Sequence, residues 1–570
     1  MLSFLCIMKK TISLVFLVLL AGALYASMFM FDMDHPVYEE MDALYILEGK
    51  TEAMGIRPWT DADVRRLVNA IAPRTETGKA IKRRIESYLA EAGDKDFKFL
   101  HEFEITPGVA LHTNKDDFDL AEDWYSVNVQ DDSLLNLGLG FLYQDYIAAY
   151  AEFSLGFTFA DADDYSDGNN TPASSDDRYK EYLSTNIPMI SEGNISMNFP
   201  NRAYFVFGNK ALRVAVGRDR LSWGNGMMGN LMLGDTLPYH DYISLTFTGS
   251  NNFNYQMLFS FFTHSVDYTK EDDREALEGL KFFYGHRFEW NFLDHSLKFV
   301  VNESVMYQSE SGHFDVRVLN PLMVLHNFYI AGNSNSLLTM ELEWTPFQKW
   351  TFYLQLAIDD LAVGEDSAPD DGASADGYAA MLGVKGVFPK KENYLYTGFE
   401  LVYTSPYMYH RATDRSSAAY DLYYVSSLRM NADGLKIISR YLSLPFGSDA
   451  LAALFRVGYN HLDKFKVESN LMLMAHGIIS KDSTLKWYTG DEAVPTAPST
   501  ENDFAEDHYG ELSEGEIEYS AIIGGEGEMA VNEWFSIKGA LYLNMYLNKD
   551  NEDSSLTGDL QLSVGLRFHW

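Results

Sequence analysis

From about residue 97 to the C-terminus, apolar residues recur at every second position. Leu560, Leu562, Val564, Leu566, Phe568 and Trp570 alternate with Asp559, Gln561, Ser563, Gly565, Arg567 and His569. Phe352, Leu354, Leu356 and Ile358 alternate in the same way with Thr351, Tyr353, Gln355 and Asp359. So do Phe535, Ile537, Leu541, Leu543 and Met545 against Ser536, Lys538, Tyr542 and Asn544, and Phe288, Trp290 and Phe292 against Arg287, Glu289 and Asn291. A period of two sends successive side chains to opposite faces of a strand, one face meeting an apolar medium and the other a polar one. Several runs exceed the roughly 5–6 residues of a soluble strand and reach the 9–11 or so that a tilted membrane-spanning strand needs.

Acidic, Gly/Ser/Asn-rich segments at 160–178, 362–377 and 489–511 separate some of these runs, and short turns separate others. No apolar helix lies between strands, so the sheet is antiparallel. Short connections alternating with long ones suit a barrel with tight turns on one rim and loops on the other. Residues 97–570 therefore predict a large antiparallel transmembrane β-barrel of about 16–18 strands.

Residues 34–93 show the helical period instead. Pro36 opens a first helix carrying Val37, Met41, Leu44 and Tyr45 on one stripe, with Gly49 as its stop. Thr60 and Asp63 form a capping-box pattern, with Trp59 placed to staple onto Val64, ahead of the stripe Val64, Leu67, Val68 and Ile71. A third helix carries Ile81, Ile85, Tyr88 and Leu89 and ends near Gly93. Arg65, Arg66, Lys82, Arg83 and Arg84 give this bundle cationic faces, either simply solvated or docked onto the acidic remainder of the chain. Ahead of it, Lys9-Lys10, the apolar run Ile12–Leu20 and the small residues around Ala23 and Ala26 form a secretory signal. The predicted organisation is a signal peptide at 1–26, a periplasmic helical bundle at 27–96 and an outer-membrane barrel at 97–570.

Composition narrows the function. The chain has 570 residues, 82 acidic against 44 basic side chains and a formal net charge of −38. That charge excludes a nucleic-acid partner, which needs a cationic face. The single cysteine, Cys6, precedes the apolar core of the signal and is not a lipid-attachment residue. Aromatics reach 14% while mean hydropathy is only −0.19, as expected when rings and carboxylates occupy opposite faces of the same strands.

Motifs that would carry catalysis are weak. Gly224, Gly226 and Gly229 match a dinucleotide fingerprint in spacing, but Gly234 and Pro238 interrupt the helix it requires, so these glycines predict close backbone approach. Asp161, Asp163, Asp164 and Asp167 hint at a calcium loop, yet Tyr165 and Ser174 stand where ligands belong. Divalent cations at the acidic loops are the partner call that remains; no cofactor and no metal centre is implied. The densest polar–aromatic segments contain Arg218, Arg220 and Trp223, then Glu303, Arg317 and Asn320. Arg218 and Arg220 are expected to share the lumen face, with Glu303, Glu289 and Asp359 as candidate carboxylate partners. The set reads either as an interior salt-bridge lattice or as a polar sugar-binding surface with Trp223 as a stacking platform.

These segments also carry a resemblance. His35-Pro36-Val37-Tyr38, Arg57-Pro58-Trp59-Thr60, Gly217-Arg218, Trp223-Gly224-Asn225-Gly226, Gly229, Leu231, Glu303-Ser304-Val305, Leu319-Asn320-Pro321-Leu322, Asn335 and Asp359-Asp360 occur in the order found in the Wzi-type capsule-assembly outer-membrane proteins, which the chain resembles from about 34 to 360. Asn225 stands where that pattern has a proline. The resemblance implies an 18-stranded barrel plugged by its helical bundle, and a lectin-like role in holding capsular polysaccharide. The expected function is thus a non-enzymatic bacterial outer-membrane protein, embedded in lipid, that binds or anchors surface polysaccharide. A passive or gated porin is the alternative, and a barrel hydrolase a third class.

Overall fold

The alternating rows close on themselves. The computed structural model describes residues 28–52, 54–89, 97–114, 117–118, 133–144, 146–157, 183–187, 195–250, 252–262, 280–309, 314, 317, 320, 334–360, 377–412, 420–422, 424–430, 436–479, 517–552 and 554–570. The predicted signal peptide 1–26 with Cys6, the aspartates 161–167 and, apart from Gly377, the acidic segments 160–178, 362–377 and 489–511 lie outside these residues.

Among the described residues, eighteen strands form a closed antiparallel barrel. Strand β1 runs Phe97–Ile105 and resumes at Gly108–His112, β2 is Leu135–Tyr143, β3 Ile147–Phe157, β4 Ile195–Gly208, β5 Leu212–Asp219 and β6 His240–Ser250. Next come β7 Phe253–Phe262, β8 Leu280–Phe292, β9 Leu297–Ser309, β10 Ser334–Phe347, β11 Trp350–Asp360 and β12 Gly377–Lys390. The last six are β13 Asn393–Thr404, β14 Ala450–His461, β15 Phe465–His476, β16 Glu518–Asn532, β17 Phe535–Leu547 and β18 Thr557–His569. The seam joins β18 to both halves of β1, Ile105 facing Phe568 and Leu111 facing Leu562. Pro107, which has no N–H to donate, stands at the break and accepts from Leu566 N through its carbonyl.

Parity along the strands follows the sequence. On β18, Leu560, Leu562 and Val564 are each more than 40% exposed while Asp559, Gln561 and Ser563 are buried. The apolar rows form the outer wall of a barrel that crosses a bilayer with strands; no described helix is long and apolar enough to cross one.

Helices α1 Val37–Leu47, α2 Asp61–Asn69 and α3 Glu76–Tyr88 pack around Val37, Met41, Trp59, Val64 and Ile81. The capping box forms as predicted: Thr60 Oγ1 accepts Asp63 N–H at 3.1 Å while Asp63 accepts from Thr60 N at 3.0 Å. Helix α3 stops at Tyr88, short of Gly93, where Leu89 turns extended.

The bundle sits at the short-turn end. Thr51 N donates to His295 O, Lys349 N to Ile46 O and Thr77 Oγ1 to Lys391 O, and those three acceptors or donors belong to the turns after β8, β10 and β12. Its docking uses both charge signs. Arg83 and Arg84 reach Glu392 and Asp463 as the cationic-face reading expects. In the opposite sense, Glu39 pairs with Lys466 at 2.6 Å and Asp42 with Lys385 at 3.1 Å. Arg65 and Arg66 pair with Asp61 and Asp63 of their own helix, and Arg66 also contacts Met54 Sδ.

Candidate functional site

Between β5 and β6 the chain leaves the wall and runs through the lumen from Arg220 to Tyr239. Backbone groups taken off a sheet need other partners, and inward side chains of the wall supply them. The Glu400 carboxylate accepts Met227 N at 2.7 Å and Met228 N at 2.8 Å. Gln355 accepts Leu231 N at 3.1 Å and donates to Asn230 Oδ1 at 2.8 Å. Gly224 and Gly229 have φ of +120° and +129°, the close backbone approach expected of them.

This segment meets the N-terminal part of the chain in the middle of the barrel. Ile56–Arg57 pairs antiparallel with Ser222–Trp223, and Gly224 N donates to Gly55 O at 2.9 Å. A second layer covers it from the long-loop side. Tyr409 Oη donates to Leu231 O at 2.9 Å, Gly234 N to Leu442 O at 2.7 Å and Thr236 Oγ1 to Tyr441 O at 2.6 Å. Bundle, inserted segment and the described residues of the 405–448 connection thus stack through the lumen.

Buried charged side chains tie the N-terminal layer to the wall. Arg202 Nε lies 2.9 Å and 3.0 Å from the two Asp219 oxygens, its Nη2 donates to Met30 O at 2.8 Å, and it stacks over Tyr150 and Tyr204. Arg213 holds Asp63, the α2 cap, at 2.9 Å. Burial alone would raise the Asp63 carboxyl, but Arg213 and Arg66 outweigh it and hold it below the usual range. Arg287 contacts Glu289 at 2.7 Å, Glu341 and Asn302, and Glu289 in turn accepts Gly55 N at 3.0 Å. Lys298 joins Glu343 at 3.2 Å to Glu52, which also pairs with Arg57.

The predicted site residues divide by location. Arg220 lies in the lumen, bidentate on Asp235 at 2.6 Å and 2.9 Å and 2.6 Å from Asp34 of the N-terminal segment. Trp223 is 1% exposed, edge-on to Phe283 with Nε1 donating to Gln256 at 2.6 Å. It therefore offers no open face for a sugar ring.

Arg218 does not share a face with Arg220, which corrects the lumen expectation. Strand β5 ends at Asp219, Arg220 leaves it, and Arg218 falls on the outward row with Val214 and Val216. There it grips Asp241 at 2.7 Å and 2.8 Å over the Tyr239 ring. Glu303 is also outward, on the row of Phe299, Val301, Val305 and Tyr307, because Asn302 and Ser304 contact Glu341 and Tyr424 inside. It faces His286, which bonds Tyr255 Oη at 2.8 Å. Arg317 and Asn320 are exposed on the β9–β10 connection, where Asn320 N donates to Arg317 O at 3.2 Å.

None of the three expected carboxylates serves the Arg218/Arg220 pair. Glu289 belongs to Arg287, Asp359 accepts Tyr409 N at 2.7 Å, and Glu303 points outward. Arg202, Asp34 and Glu400 were not singled out. A lone arginine and a lone glutamate on otherwise alternating strands are the only signal for Arg202 and Glu400.

The layers do not fill the lumen evenly. On the inward rows of β1 and β16, Glu102 and Glu526 remain exposed, and Asp34 of the N-terminal segment is exposed as well. Water therefore reaches the short-turn half of the lumen on that side.

The architecture is that of an outer-membrane β-barrel with a chain-filled lumen. No known family profile matches the chain, and no curated protein matches it in sequence. Among solved structures it is similar to Wzi of Escherichia coli, described as an outer-membrane protein involved in group 1 capsule assembly and a carbohydrate-binding β-barrel. The two share 12% identity over 95% of this chain and 99% of that one, with a TM-score of 0.57. OprD of Pseudomonas aeruginosa aligns with 7% identity over 84% and 96% of the two chains at a TM-score of 0.38. An anion-selective porin of Comamonas acidovorans aligns with 10% identity over 83% and 100% at 0.34. At these identities the likeness to Wzi is one of fold.

Proposed function

We propose that this protein is a plugged bacterial outer-membrane barrel that binds or anchors surface polysaccharide and performs no catalysis. The observation that carries this reading is the lumen. Three layers of chain cross it, the N-terminal one held to the wall by buried ion pairs and the other two by hydrogen bonds to inward side chains, which are costly to break, so the working surface is the long-loop end. The Wzi structure, a carbohydrate-binding barrel of the same fold, supports the same class of ligand. The acidic sequence segments 160–178, 362–377 and 489–511 favour neutral or cation-bridged glycans over bare polyanions.

The test is a glycan array probed with the detergent-solubilised full chain, together with the surface polysaccharide retained by cells lacking it. Binding to a defined glycan set and shedding of polysaccharide on deletion are expected. A blank array with unchanged retention would overturn the reading.

One observation favours the porin alternative: the exposed inward carboxylates Glu102 and Glu526 mark a wet side of the lumen. That reading requires steady open channels from the intact chain.

A further inference from the structure

Within the bundle, the stretch from α2 to α3 carries a charge opposite to that of the molecule, whereas residues 28–60 ahead of it are acidic. Residues 61–89 hold seven basic side chains (Arg65, Arg66, Arg74, Lys79, Lys82, Arg83, Arg84) against four acidic ones, of which Asp61 and Asp63 are buried. The whole chain is 82 acidic to 44 basic. Helix α3 lies across the rim. Thr77 at its start bonds Lys391 O of the turn after β12, Arg83 pairs with Glu392, and Arg84 near its end reaches Asp463 of the turn after β14 at 3.3 Å. Its exposed Lys79 and Arg83 therefore lie near the exposed turn lysines Lys390, Lys391 and Lys464, with the exposed Glu76, Glu392 and Asp463 among them.

The chemistry of the ridge restricts its partner. Protein interfaces are anchored by buried aromatic and aliphatic side chains. No large apolar side chain of the described bundle is exposed. Charge without an apolar anchor suits a hydrated polyanion, and screening over about 8–10 Å lets this local face act independently of the acidic remainder of the chain.

We propose that this ridge docks onto a carboxylate-bearing glycan network on the periplasmic side, the cell-wall sacculus. The contact is electrostatic and tethers the barrel from below, at the end opposite the polysaccharide-binding loops, so the two readings fail independently.

The experiment is co-sedimentation of the detergent-solubilised full chain with purified sacculi, native or with carboxylates blocked by amidation. Sedimentation is expected at roughly 0.05 M salt and release at roughly 0.5 M, where the screening length shrinks severalfold. Amidated sacculi should fail to sediment the protein. The variant Lys79→Glu, Arg83→Glu, Lys390→Glu, Lys464→Glu should bind about tenfold more weakly, a loss of about 1.4 kcal/mol. Its barrel is checked by heat-modifiable gel mobility, and if it does not fold the amidation arm decides with wild-type protein. Absence of sedimentation at low salt, equal sedimentation with amidated sacculi, or full binding by the folded variant overturns the proposal.

Discussion

Arg287 shows how much of the lumen depends on single side chains. Its guanidinium is 1% exposed and lies between Glu289 and Glu341. Removing one partner of a buried pair leaves an uncompensated charge, at a cost of about 3–5 kcal/mol. Arg287→Ala should lower urea stability of the refolded barrel by that order, whereas Glu341→Ala, which leaves the Arg287–Glu289 pair intact, should cost less. Gly55 packs against the same group: a Cβ there would come within 2.9 Å of Glu289 Oε1 and meet the Arg287 guanidinium. Gly55→Ala should accordingly loosen the bundle while sparing the wall, seen as faster proteolysis of residues 28–89 with unchanged strand circular dichroism. At this scale the sequence was legible wherever parity could be counted along one strand, as for Tyr353 and Asp359. Glu303 could have been read as outward, since Phe299, Val301 and Val305 share its row. Arg220 could not be placed by counting, because parity ends where β5 ends.

Among the elements, the helices were the more legible part, because caps are local. Thr60 and Asp63 are three residues apart and need nothing else to form their box. The inserted segment Arg220–Tyr239 was not legible, since its conformation is set by Glu400 and Gln355, over a hundred residues away. The bundle also carries a pH dependence. Burial pushes the Glu40 carboxyl up to about 8, only partly offset by Tyr88 and Arg84. Burial also pushes His35 down to about 4. Between about 4.5 and 8 the folded state holds a proton on Glu40 that the unfolded chain has released, so stability falls as pH rises through that window. His35 acts oppositely. The unfolded chain protonates first, so its contribution is present above about 6.5 and lost as pH falls toward 4. Bundle docking, followed by proteolysis of residues 28–89, should therefore be weaker at pH 8 than at pH 6. Glu40→Gln should remove the alkaline decline and leave the acid one; an unchanged alkaline decline would refute the assignment.

For the molecule as a whole, the arrangement of chain inside the barrel makes a distinctive conductance prediction. The bundle is tied through Arg213, Lys298, Lys385 and Lys466, all on β5 to β15. The β16–β18 and β1 side is wet but, farther toward the long-loop end, its inward Ser520, Asn544 and Gln561 are buried. Water thus enters from the short-turn end and meets a closed layer above. The intact chain should show no steady open steps in planar bilayers. Deleting 34–93 removes the lower layer and the carboxylates that pair with the wall lysines, but leaves the inserted segment held by Glu400 and Gln355. That deletion should open steps smaller than those of an unobstructed barrel of this strand number. Deleting 225–238 as well should enlarge them. Steady large channels from the intact chain would transfer the function to the porin class, and a bundle deletion that conducts no better than the intact chain would show that the helices do not seal the pore.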